Sequence, residues 1–138
     1  MIQILKDSDT RPWFFLQTAH TTYGMWVMET GHLEHLYYGE RITVDSQDPS
    51  SCAPLVIQRA FAPGNTCTYD REHPQISMED VCLEVGTLGK GDIREPFLEV
   101  RFADGSVTSD FTFDSYEVIT LKEREQCLQD SGLPHSYS

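Results

Sequence analysis

Basic residues are scarce in this sequence: ten Lys and Arg stand against twenty-two Asp and Glu, a formal net charge of −12. That balance argues against a nucleic-acid or anionic-membrane partner, because either surface needs concentrated Lys and Arg. It is compatible with a neutral ligand such as a sugar, without selecting one. Also lacking is any apolar run near the ~20 residues that span a bilayer. The opening Met1-Ile2-Gln3-Ile4-Leu5-Lys6-Asp7 has no basic segment followed by an apolar core, so no secretory signal is expected and a cytoplasmic location is the default. Cys52, Cys67, Cys82 and Cys127 are irregularly spaced with no C-x-x-C pair, which opposes a zinc knuckle and points to free thiols. No nucleophile elbow, phosphate loop or dinucleotide fingerprint is present, and Gly86, Gly89 and Gly91 do not precede a helical pattern. No cofactor and no metal are expected.

What is abundant is strand patterning. The 138 residues suffice for one domain. Trp13 to Gln17 and Thr22 to Glu29 read as strands, and Thr30-Gly31-His32 as a tight turn into Leu33–Tyr38. Strict alternation would put Leu33, His35 and Tyr37 on one face and Glu34, Leu36 and Tyr38 on the other. From about residue 43 to 80 the pattern changes to a long irregular loop with Pro, Gly, Ser and Asp, beyond the roughly 12–15 residues at which loops are usually functional or disordered. Alternation returns in Phe97–Phe102 and Val107–Phe113, joined by the turn Asp104-Gly105, and again in Tyr116–Leu121. Lys122 to Gln129 allows a helical turn or two. With no long amphipathic helix and no internal repeat, the expected class is all-β, an antiparallel β-sandwich.

Few residues stand out as catalytic. Glu79, Asp80, Glu84, Asp92 and Glu95 form an acidic cluster, and glycoside hydrolysis uses two carboxyl groups about 5–9.5 Å apart. With so many acidic residues, solvated loop charges account for the cluster more simply. His32 and His35, three apart on a strand, face opposite ways and cannot share a metal; His35 is expected to pack with a hydrogen-bonded ring and His32 to face solvent at the turn. Trp13, Trp26, Tyr37 and Tyr38 suit stacking on a sugar ring, but strand positions favour core or seam packing. Arg59, Arg71 and Arg94 lie in or beside irregular backbone, where a guanidinium braces a loop or reaches a hydroxyl.

Several short motifs, each weak alone, occur in a telling order. They are Phe15-Leu16-Gln17-Thr18, Thr22-Tyr23, Gly31 to Gly39 (Gly-His-Leu-Glu-His-Leu-Tyr-Tyr-Gly), Arg59-Ala60-Phe61-Ala62-Pro63, Gly89 to Pro96, Asp104-Gly105-Ser106, and Gly132-Leu133-Pro134-His135-Ser136-Tyr137. In this order they resemble the N-terminal domain of family 36 α-galactosidases, the melibiases. The resemblance implies part of a β-supersandwich that precedes a (β/α)8 barrel. The barrel carries the nucleophile and acid/base aspartates of a retaining hydrolysis of terminal α-galactosyl groups, as in raffinose or melibiose. Residues 1–138 are then a single, truncated N-terminal domain, itself inactive, with the barrel, a homo-oligomer and an α-galactoside as the implied partners. The resemblance further implies that a long loop reaches a neighbouring subunit's sugar site. Arg71 and Gln58 stand at its matching positions, and Asp92, Arg94 and Arg59 brace the loops. This chain departs from the family pattern at Gln58, Pro54 and Cys82-Leu83-Glu84-Val85, while Glu84 itself is kept. The rival readings are a stand-alone carbohydrate-binding or structural β-sandwich, and an acidic interaction domain with no sugar role.

Overall fold

A computed structural model of the chain describes residues 1–6, 11–45, 48–56, 68–78, 81–89, 91–92 and 95–119. The frame is an antiparallel meander of β1 (Ile2–Lys6), β2 (Pro12–Gln17), β3 (Thr21–Val27) and β4 (Leu33–Glu40), in sheet order β1-β2-β3-β4. β1 was not anticipated from sequence, although Ile2-Gln3-Ile4 alternates. It pairs Ile4 with Phe14 and Leu5 with Trp13. Gly31, at φ +83°, takes the left-handed conformation of the β3–β4 turn, as its position in sequence implies.

Alternation sorts the sheet into two covered faces. Leu5, Trp13 and Phe15 build one core with Val44 and Cys52, joined by Trp26, Leu36, Ile42, Leu55 and Val56. The short 3-10 helix Pro49–Leu55 thus caps this face, and burial pushes the Cys52 thiol up, away from its reactive form. On the other face Phe14 meets Tyr116 edge-on at 5.2 Å and Phe113 at 5.9 Å, the covering segment being anchored by Phe113 N–H donating to Gly31 C=O at 2.7 Å. Sheet and segment enclose an apolar cleft of about 260 Å³, lined by Ile2, Ile4, Phe14, Leu16, Met25 and Leu33 below and by Phe113, Tyr116 and Val118 above. An antiparallel sheet covered on both faces fits the expected all-β class.

Three local expectations change. β4 does not alternate strictly: the register shifts between Gly24 and Met25, so Met25 faces His35, Gly24 faces Tyr37 and Tyr23 faces Tyr38. The extra residue is Leu36, and past this bulge Tyr37 and Tyr38 exchange the faces that sequence assigned them. His32 is not at the surface but 2% exposed, buried under the segment that covers the turn. Finally, the stretches around Phe97–Phe102, Val107–Phe113 and Tyr116–Ile119 form no ladder among the described residues. Only the turn Phe102–Ser106, with Gly105 at φ +88°, and a bridge of Leu98 to Thr87 appear. Alternation marks a residue's readiness to form a strand, but a strand needs a partner backbone, which the pattern does not name. The region from 43 to 80, expected as irregular, holds the 3-10 helix and a bridge of Thr68 to Ser77; Lys122–Gln129 lies outside the described residues.

These unladdered stretches leave apolar side chains bare: Phe97 is 78% exposed, and Phe102, Phe111, Tyr116, Val118 and Ile119 are also exposed. Such surface is normally covered by another part of a protein. The isolated chain is therefore expected to self-associate as its concentration rises. Sedimentation velocity checks this, and a strictly monomeric species throughout would refute it.

Candidate functional site

The turn that carries Arg71 is organised by its neighbours. Asp70 Oδ1 accepts from Glu72 N–H at 2.8 Å and His73 N–H at 2.7 Å, an Asx turn closed by the His73 ring at 2.9 Å. Desolvation alone would raise the Asp70 pKa, but the hydrogen bonds from His73 and Glu72 outweigh it and hold the carboxyl below its ordinary value. The carboxylate therefore stays ionised and the turn closed at neutral pH. Arg71 is exposed at this turn, and among the described residues it makes no hydrogen bond or ion pair.

Behind the turn lies a chain of polar groups. Tyr69 O–H donates to Asp110 Oδ2 at 3.0 Å, and His32 Nε2 meets Asp110 Oδ1 at 2.7 Å. Thr30 Oγ1 lies 2.8 Å from His32 Nδ1, and the His32 and Tyr69 rings meet edge to face at 5.0 Å. With Nε2–H donated to the carboxylate, Nδ1 accepts the Thr30 hydroxyl, so both ring nitrogens are satisfied. Burial, then the hydrogen bond and charge of Asp110, push the Tyr69 phenol up to about 12. Below the phenol-bearing residue, Ile76 and Met78 pack on Met28, and Gln75 Nε2–H donates to Glu29 at 2.8 Å.

A second clamp stands on β3 and β4. Tyr23 O–H lies 2.6 and 2.5 Å from the two oxygens of Glu84, and His35 Nδ1 is 3.3 Å from Glu84 Oε1. The backbone seals the same junction: His35 N–H donates to Cys82 C=O and Glu84 N–H to Leu33 C=O. On the opposite face Glu34, 1% exposed, accepts from Trp26 Nε1–H at 2.8 Å. Glu34, Asp70, Glu84 and Asp110 are thus each engaged in fixing backbone or rings.

Of the residues that the resemblance assigns to the sugar site and its loops, only Arg71 is described in full. Gln58, Arg59 and Arg94 lie outside the described residues, as do Glu79 and Asp80; the Asp92 backbone ends the short β6 (Gly91–Asp92), which pairs parallel with β5 (Thr87–Leu88), and its side chain is not described. Trp13 and Trp26 pack together at 4.8 Å between centroids, Tyr37 O–H donates to Glu40 C=O, and Tyr38 is 70% exposed. Cys52 and Cys82 are free thiols. Among the described residues no group of three His, Cys, Asp or Glu is arranged to hold a metal, and no helix is long and apolar enough to cross a membrane.

A sequence profile of the glycosyl hydrolase family 36 N-terminal domain matches residues 31–138. The chain belongs to this family. The bifunctional alpha-galactosidase/sucrose kinase AgaSK of Mediterraneibacter gnavus is 38% identical over 117 residues, covering 83% of this chain and 12% of that protein. A crystal structure of the alpha-galactosidase from Lactobacillus brevis matches with a TM-score of 0.64 and 33% identity, over 76% of this chain and 13% of that one. The GH36 alpha-galactosidase AgaA of Geobacillus stearothermophilus, solved in complex with raffinose, shares the fold at a TM-score of 0.60 and 21% identity, over 75% of this chain and 13% of its own. This family 36 chain therefore spans only a small part of the proteins it resembles.

Within the family 36 domain, sequence reasoning singled out Arg71 but not the long-range contacts around it. Glu84 meets Tyr23 across 61 positions and Asp110 meets His32 across 78. No local pattern encodes separations of that size. The one available signal was His32 itself, a polar ring set between a turn glycine and an apolar strand.

Proposed function

We propose that this chain is the non-catalytic N-terminal portion of an α-galactosidase that acts on terminal α-galactosyl groups of raffinose- or melibiose-type oligosaccharides. The observation that carries this reading is the family match over residues 31–138 together with α-galactosidase relatives of which the chain covers 12–13%. Its own carboxylates support a non-catalytic role, since Glu34, Asp70, Glu84 and Asp110 are all engaged structurally. A glycosidase pair must face each other across a substrate instead. The exposed apolar side chains of Phe97, Phe102, Phe111 and Val118 are surface for the remainder of the enzyme to cover.

In an oligomer of the intact enzyme, Arg71 and Gln58 are lent to a neighbouring subunit's sugar site. An exposed guanidinium on a closed turn suits this work, because its donor fork can span vicinal hydroxyls and the closed turn leaves little backbone ordering to lose. Two measurements test the reading. The purified 138-residue chain is expected to show no turnover of an aryl α-galactoside, whereas the full-length enzyme turns it over; measurable activity in the chain would sink the non-catalytic role. In the full-length enzyme Arg71→Ala is expected to raise KM for raffinose about ten- to thirtyfold, the loss of a charge-assisted hydrogen bond. An unchanged KM would remove Arg71 from the sugar site.

A further inference from the structure

The Arg71 turn is closed by Asp70, but local closure does not aim it. A turn rigid within itself still pivots on its stem unless the stem is fixed to the body of the domain, and a ligand contact displaced by about 1 Å loses most of its worth. The stem is fixed at Tyr69. Its hydroxyl donates to one oxygen of Asp110 while His32 holds the other, at 3.0 and 2.7 Å. Asp110 belongs to the segment that covers the sheet, and His32 is buried beside the β3–β4 turn. One carboxylate thereby joins three separate stretches of chain, and the hydroxyl sits two residues from Arg71.

We propose that Tyr69, Asp110 and His32 form a relay that positions Arg71 for its sugar contact. This rests on the reading of Arg71 as that contact. Tyr69 is a positioning residue: it touches no substrate and acts only through the orientation of the turn. The His32 ring, locked by Thr30 on its far nitrogen, fixes the carboxylate plane, and the carboxylate in turn fixes the phenol. A hydrogen bond to a carboxylate is stronger than one between neutral groups, and at 3.0 Å the Tyr69 hydroxyl lies within reach of it.

The test uses the full-length enzyme with raffinose and the variants Tyr69→Phe, Asp110→Asn and Arg71→Ala, singly and in pairs. Tyr69→Phe deletes one hydroxyl and keeps the edge-to-face ring contact with His32, so it carries the test even if Asp110→Asn folds poorly. The expected result is a KM raised about three- to tenfold with kcat changed less than about twofold. In the Arg71→Ala background, Tyr69→Phe is expected to change KM no further, because its effect passes through the missing guanidinium. If Arg71→Ala raises KM but Tyr69→Phe only lowers the melting temperature, the relay is overturned and the sugar contact stands. Effects that multiply in the double variant overturn it equally. If Arg71→Ala itself leaves KM unchanged, the sugar contact fails and the relay falls with it.

Discussion

Gly24→Val is expected to destabilise the domain by about 3 kcal/mol or more, enough to unfold a marginally stable protein at physiological temperature. Gly24 sits in the middle of β3 directly opposite Phe15 on β2 and Tyr37 on β4, at the bulge where register shifts. A Cβ there would lie 3.1 and 3.2 Å from two ring carbons of Phe15 and 3.6 Å from the Tyr37 Cβ. Phe15 cannot yield, since it is 0% exposed and packed among Leu5, Trp13, Val44 and Cys52. The missing side chain is therefore the space that the Phe15 ring fills. The opposite error should cost as much: Phe15→Ala opens a cavity at the same point, for about 3–5 kcal/mol. Because both act on one contact, Gly24→Ala combined with Phe15→Leu should recover part of the loss seen in Gly24→Ala alone. Thermal melts of the four variants decide it, and a Gly24→Val protein that melts with the parent refutes the packing account.

How much of this was readable in advance divides along the range of the interaction. β2, β3 and the start of β4 follow from short-range signals: aromatic and branched residues in alternation, bounded by Ala19-His20 and by Gly31. The turn at Asp104-Gly105 was legible for the same reason, with Asp104 accepting from the Ser106 N–H and hydroxyl. The bulge at Leu36 was not, because its cause is a cross-strand fit, with Gly24 opposed by Tyr37. Nor was the burial of His32. A histidine at a turn reads as solvated unless the chain returns 78 positions later to cover it, as Asp110 does. Arg71 was singled out for the sugar site only through the family resemblance, and the Tyr69–Asp110 bond behind it depends on tertiary packing alone.

Glu84→Ala is expected to cost about 2–3 kcal/mol, since it strips a charged acceptor from two partners at once. Tyr23 would keep a half-buried hydroxyl with no carboxylate, and His35 would lose its partner on the same side. The backbone bonds from His35 to Cys82 and from Glu84 to Leu33 survive the change, so the 81–84 segment stays in place and the loss isolates the side-chain clamp. A spectroscopic signature accompanies it. Burial first, then the hydrogen bond and charge of Glu84, push the Tyr23 phenol up from 10.0 to about 12. Only the neutral phenol can donate, so the clamp's contribution is complete below pH 10.0 and drains away as pH rises through about 12. Without Glu84 the burial remains but the carboxylate does not, and Tyr23 is expected to titrate earlier than in the parent yet still above 10.0. Phenolate absorbance against pH follows this directly, with Tyr23→Phe identifying the transition. A titration identical in parent and Glu84→Ala would mean that Glu84 does not hold Tyr23, and the melting temperature should then be unmoved as well.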